Sequence, residues 1–218
     1  MTEPFIRNHQ YNHIKKQTQI LQHAQTTVTD QKVIEAVRCS TEFEVIEAFP
    51  DATDNQMQIL KGISELKTPE DCEEYLSSLE PYLMAFPHVT EKQIRKLFPK
   101  NKKLKMPNLS TLAGQSLTYL SWVDISTNKK FIIYELNGKI IGVEGRYTIA
   151  NKDNTCSLCK GHGKVALFTA KSKSRPANSS PDYYKAVGNY MCVDSDECNE
   201  HITDVAYLEK FIRSVIGS

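Results

Sequence analysis

Residues 155–164, TCSLCKGHGK, and residues 190–199, YMCVDSDECN, decide how the second half of this chain is read. The sequence contains six cysteines and places four of them here as two close pairs, Cys156-x₂-Cys159 and Cys192-x₅-Cys198. Two sulfurs two residues apart reach one ion only where the backbone turns tightly, and Gly161 and Gly163 follow the first pair. Backbone amides in such a turn can donate hydrogen bonds to the sulfurs. Four thiolates make a closed tetrahedral site of the kind that holds structural zinc. A thioredoxin-like redox pair would use one C-x-x-C and leave the second pair without a role. Iron–sulfur clusters also take four cysteines but use other spacings. A catalytic zinc needs an open position, and His162 and His201 are near enough in sequence to stand in for a cysteine. Cys156, Cys159, Cys192 and Cys198 are therefore the expected ligands of one structural Zn²⁺. Cys39 and Cys72, each alone on a helical apolar pattern, are expected in cores as small hydrophobes.

Upstream of the cysteines the periodicity is that of strands. KFIIYEL (130–136) and KIIGVEG (139–145) flank Asn137-Gly138, a pair suited to a two-residue hairpin whose turn residues both take positive φ. YLSWVDI (119–125) and VALFTA (165–170) read as further strands, and a short strand precedes Cys192. Thr203 is the expected cap of a last helix with Val205, Leu208, Ile212 and Val215 on one face. Phe211 and Tyr207 then lie at the margin of that stripe, where an aromatic either widens the core or anchors a partner.

The first half reads as helices. Tyr11, Ile14, Leu21 and Val28 keep helical spacing, with Thr18 and Gln25 in the seam. Asp30 caps a second helix carrying Val33, Ile34 and Val37. Thr41 with Glu44 resembles a capping box opening a third, which Pro50 stops. Met57, Leu60, Ile63 and Leu66 mark another. Thr68-Pro69 opens a helix interrupted at Pro81, and Thr90 with Gln93 opens a short one closed by Pro99. PKNKKLKMP (99–107) reads as a basic connection or an exposed strand. The expected organisation is a helical bundle over 1–98 and a mixed β-sheet domain with a four-cysteine zinc finger and C-terminal helix over 99–218.

Composition is that of a globular protein, with 24% charged and 40% hydrophobic residues. The N-terminus lacks the apolar segment of a secretory signal, and no run approaches a membrane span, so the expected location is cytoplasmic. Charge is uneven. Residues 1–98 carry 10 Lys+Arg against 15 Asp+Glu, residues 99–218 carry 17 against 11, and four thiolates with one Zn²⁺ leave the second half at +4. A basic half suits an acidic partner, protein or RNA. Lys100, Lys102, Lys103, Lys105, Lys129, Lys130, Lys171, Lys173 and Arg175 are candidate steering charges. There is no G-x-S-x-G, no H-E-x-x-H and no phosphate-binding glycine loop, and His9 and His13 lack a third ligand nearby, so an enzyme is not expected.

HQYNHIKKQ (9–17), FPKNKKLKMP (98–107), SWVDISTNKKFIIYE (121–135) and C-x₂-C…NYMC-x₅-C occur in this order and spacing in one family. Over nearly its whole length the chain resembles the fusidic-acid-resistance family of elongation-factor-G-binding proteins. The resemblance implies a two-domain cytoplasmic protein of Gram-positive bacteria, monomeric, with a helical N-terminal domain and a C-terminal four-cysteine zinc finger. It implies elongation factor G as the partner, bound chiefly through the C-terminal domain, and release of that factor from ribosomes on which fusidic acid has stalled it. The ribosome would be engaged indirectly, with no membrane and no small-molecule substrate. The family's zinc ligands map onto Cys156, Cys159, Cys192 and Cys198, and its partner contacts onto Tyr190, Phe211 and Lys185. Thr155 stands where the family pattern has an aromatic. The rival reading from the residues alone is an RNA-binding zinc finger, since basic loops, knuckles and exposed aromatics also serve that purpose.

Overall fold

The computed structural model describes residues 3–112, 114–174, 180 and 183–217. They form two compact units, Met1–Met84 and Ala85–Ser218. No helix among them is long and apolar enough to cross a membrane.

The first unit contains helices α1 (Asn8–Thr27), α2 (Gln31–Glu47), α3 (Asp54–Lys61) and α4 (Pro69–Leu79). Its core is built from Ile14, Leu21, Val45, Phe49, Leu60, Ile63 and Leu79. Several caps are as the sequence predicts. Asp30 accepts from Lys32 N, Thr68 forms a capping box with Asp71 ahead of Pro69, and Pro81 sits in a 3₁₀ turn that ends α4. Two expectations fail. Thr41 does not open a helix, because no breaker separates it from the preceding turns; α2 runs straight through, and the buried hydroxyl donates back to Arg38 O at 2.9 Å. Cys39 is exposed, because it lies well around α2 from the buried Ile34, Thr41 and Val45, whereas Cys72 is buried as expected.

The second unit begins before the boundary suggested by periodicity. Helix α5 (Glu91–Leu97) and the basic segment after it pack with the sheet: Val89, Ile94, Phe98 and Leu104 share one core with Leu120, Phe131 and Ile133. PKNKKLKMP is thus neither strand nor linker but a loop that turns its lysines outward and buries Leu104. The central sheet has the order β1 (Leu120–Asp124), β2 (Lys129–Leu136), β3 (Lys139–Ile149), β6 (Val165–Lys171), β7 (Ala186–Cys192), and every pair is antiparallel. A two-stranded ribbon, β4 (Asn154–Thr155) and β5 (His162–Gly163), interrupts it. Asn137 and Gly138 take φ of 51° and 72°, the left-handed pair that a tight β2–β3 turn requires.

β2 is apolar on both faces because both are covered. Phe131 and Ile133 meet α5 and its loop, while Ile132, Tyr134 and Leu136 face helix α7 (Ala206–Ile216). Gly142 on β3 makes the first contact possible: a Cβ there would lie 2.8 Å from the Phe98 ring and 2.9 Å from Leu97. α7 does not start at Thr203. Its cap position is Val205, and Asp204 Oδ1 accepts from Ala206 N, so Val205 leaves the buried stripe. Leu208, Phe211, Ile212 and Val215 fill that stripe.

Candidate metal centre

The zinc end of the sheet is assembled from three local structures. Between β4 and β5 the chain makes a tight turn in which Cys156 N donates to Gly161 O at 2.8 Å and Lys160 N to Cys156 O at 3.1 Å. Lys160 holds the turn in the left-handed region, φ 63°, and its ammonium closes the loop by bonding Ser157 O at 2.7 Å. Cys192 is the last residue of β7. Cys198 lies on helix α6 (Ser195–His201), a seven-residue element that periodicity does not reveal, capped by Asp194 accepting from Asp196 N and Glu197 N.

These elements bring all four sulfurs within 4.8 Å of one another. Cys156 Sγ and Cys198 Sγ are 3.9 Å apart, and Cys159 Sγ and Cys192 Sγ are 3.6 Å apart. A tetrahedron with metal–sulfur bonds of about 2.3 Å has edges of about 3.8 Å, so the donor set fits zinc without rearrangement. His162 and His201 are not part of the cluster. Leu158 N donates to Cys156 Sγ at 3.4 Å, the amide–sulfur bond expected of a knuckle. The thiols also read as a unit waiting for a cation. Hydrogen bonds from Cys159, Cys192 and Cys198 hold the Cys156 thiol well below its ordinary range, while Cys156 and its neighbours push Cys198 far up. Four sulfurs packed this closely are costly to ionise together unless a cation balances their charge. Zinc here supplies a cross-link between distant segments.

The centre is continuous with the core: Cys156, Leu158, Cys192, Cys198 and Ile202 pack in one cluster with Val165, Phe168, Leu208 and Phe211. Asn199, directly after the last ligand, is 4% exposed and fully engaged. Its Oδ1 accepts from Thr118 N at 2.8 Å and Tyr119 N at 3.2 Å, and its Nδ2 donates to Tyr119 O at 3.0 Å and Ser195 O at 2.9 Å. It joins the ligand helix to the residues leading into β1. Asn199→Ala leaves those buried backbone groups unpaired and is expected to cost ~3 kcal/mol, measured as a lowered denaturation midpoint of the zinc-loaded protein.

The three residues assigned to partner contact fall into two environments. Tyr190 is 39% exposed on β7, and Lys185 is exposed just before that strand. Phe211, placed by periodicity at the stripe's margin, is 2% exposed and packs on Phe168 with ring centroids 5.7 Å apart. With α7 starting at Ala206, Val205 drops out of the stripe and Phe211 joins Leu208, Ile212 and Val215 in the core. Lys130, counted among the outward charges, is 1% exposed. Period-two alternation could have found it, since Lys130 shares a face with Ile132, Tyr134 and Leu136. Arg175 lies outside the described residues. Asn199 and Tyr119 carry no sequence signal beyond adjacency to a ligand and to a strand.

Residues 95–211 match the family model described as an FBP C-terminal treble-clef zinc finger, and residues 5–87 match the model for the N-terminal part of elongation factor G-binding protein. The chain belongs to the elongation-factor-G-binding family. All four clustered cysteines lie within the matched zinc-finger segment. The fold is also that of a solved structure of the fusidic acid resistance protein FusC, with 26% identity, a TM-score of 0.77, and 99% of this chain and 98% of that one covered. No curated protein matches the chain.

Proposed function

We propose that the chain binds elongation factor G through the outer face of β6 and β7 beside the zinc knuckle, and that this promotes the factor's departure from ribosomes stalled by fusidic acid. The observation that carries the reading is the setting of Tyr190. Its carbonyl accepts from Ser157 N of the knuckle at 2.8 Å, while its side chain stays open to solvent. Leu167, paired with it across the strands, is also 39% exposed, and Gly188 and Lys171 continue the same face. The Lys171 ammonium sits 4.8 Å from the centre of the Tyr184 ring. Aromatic anchors rimmed by cations are what a protein interface with an acidic patch uses.

Charge favours the same assignment. Residues 85–218 carry 20 Lys+Arg against 12 Asp+Glu, and residues 1–84 carry 7 against 14, so the asymmetry is sharper between the folded units than between the sequence halves. Binding acts by differential affinity: a partner that prefers the factor off the ribosome, or in the shape it takes while leaving, shifts the equilibrium toward release. The drug is untouched in this scheme. Phe211 contributes from behind the sheet by supporting β6 rather than by touching the partner.

Purified protein mixed with elongation factor G from its host is expected to co-elute as a complex in size-exclusion chromatography, with or without nuclease. Tyr190→Ala is expected to weaken that complex about 30-fold, the scale of an interface hot spot, and to leave melting within a degree or two. Lys185→Ala should cost only a few-fold, and less as salt is raised. Failure to form a complex, or one that nuclease abolishes, would overturn the reading in favour of an RNA ligand.

A further inference from the structure

Lys130 and Tyr119 place two polar groups of opposite character against the thiol cluster, and neither has another evident role. Lys130 is buried in the core face of β2. Its ammonium donates to Cys192 O at 3.2 Å, the carbonyl of a zinc ligand, and lies 5.6 Å from the centre of the Tyr147 ring. Among the described residues no carboxylate forms an ion pair with it. Asp194 is the carboxylate that acts on it, after the cysteines, and that side chain is committed to capping α6. Burial is the larger influence and lowers the amine's pKa, and Cys198, Cys192 and Cys156 oppose it. Tyr119 is fully buried in the same cluster as Cys156, Cys192 and Cys198, and its hydroxyl has no hydrogen-bond partner among the described residues. Burial and then Cys198 push its ionisation well above the ordinary phenol range, so it remains an O–H donor.

Four thiolates around Zn²⁺ carry a net charge of −2, and burying that charge is costly unless something opposes it. A buried ammonium without a partner is costly for the same reason. Each is explained by the other. We propose that Lys130 is the resident counter-charge of the zinc–thiolate centre and Tyr119 a hydroxyl donor to its sulfurs, so that together they set how tightly the metal is held. Both are positioning residues acting through the ligands. Asn199 keeps Tyr119 in place by gripping its backbone from the residue next to Cys198. Groups that surround metal ligands in this way commonly change metal affinity 10–100-fold when removed.

The test uses the full zinc-loaded chain and needs no partner protein, so its outcome is independent of the binding function. Lys130→Met keeps the length of the side chain and removes the charge. Zinc transfer to a chromogenic chelator at fixed pH is expected to run at least tenfold faster, while melting in excess zinc stays level or rises because an apolar side chain suits the core. Tyr119→Phe removes one oxygen. In the cobalt-substituted protein its thiolate-to-metal charge-transfer band is expected to move to lower energy, as the sulfur loses a hydrogen bond. Zinc release within twofold of the parent in Lys130→Met, or in Tyr119→Phe should the first variant not fold, would overturn the proposal. So would faster release that merely tracks a fall in melting temperature, with the cobalt band unmoved.

Discussion

Serine in place of Cys156 or Cys192 is expected to strip the zinc from residues 85–218 and unfold them, abolishing factor binding in the same step. The structure explains why the effect is all-or-none. The knuckle contributes two sulfurs, the end of β7 one and α6 one, and α6 is seven residues long, too short to persist in water alone. Apparent binding energies of structural zinc run to about 10–16 kcal/mol, more than the ~5–15 kcal/mol that holds a typical domain together. Leu158, Val165 and Ile202 share the core cluster with the ligands, so releasing the sulfurs opens the core under α7 as well. Metal analysis should find no zinc in the variant, and calorimetry should lose the transition of the zinc-bearing unit. The helical unit has its own core and should still melt on its own. A serine variant that lacks zinc and keeps both fold and binding would contradict this.

Phe211→Ala is expected to be the largest stability loss outside the metal centre, ~3–5 kcal/mol, because it empties a fully packed site between α7 and β6. Binding should fall with it, but only in proportion to the unfolded fraction, and should recover at lower temperature. Tyr190→Ala should do the reverse, with affinity lost and stability kept. Equilibrium denaturation and binding measured on the two variants separate a residue that builds the docking face from one that belongs to it. A Phe211→Ala protein with parental stability and weakened binding would show the ring reaching the partner directly.

The contrast also marks where sequence reading succeeds. The two cysteine pairs, the Asn137-Gly138 hairpin and the Thr68, Thr90 and Asp30 caps are local chemistry: each depends on residues a few positions apart, and each forms as the spacing predicts. What escapes is set by partners far along the chain. Thr41 looks like a cap until α2 is seen to continue through it. The lysines of PKNKKLKMP hide that Leu104 belongs to a core with Phe131. Phe211 looks marginal because Val205 is counted into the stripe; with α7 starting at Ala206, Val205 drops out and the stripe of Leu208, Ile212 and Val215 extends to Phe211 on its other side. Lys130 looks like surface because a lysine beside another lysine reads as solvated, although alternation along β2 puts it on the buried face of Ile132 and Tyr134.

Asn199 has one more implication, which concerns timing. It clasps residues 80 and 81 positions earlier, and the final sulfur sits immediately before it. During synthesis, the leading strand of the sheet therefore waits, without its clasp and without a complete metal cage, until residue 199 has emerged. The helical unit, finished by residue 84, can mature while its neighbour is still being made. A truncation that removes Cys198 and Asn199 is consequently worse than an equally long deletion in a surface loop, because it forfeits the closing event on which everything upstream in that unit depends.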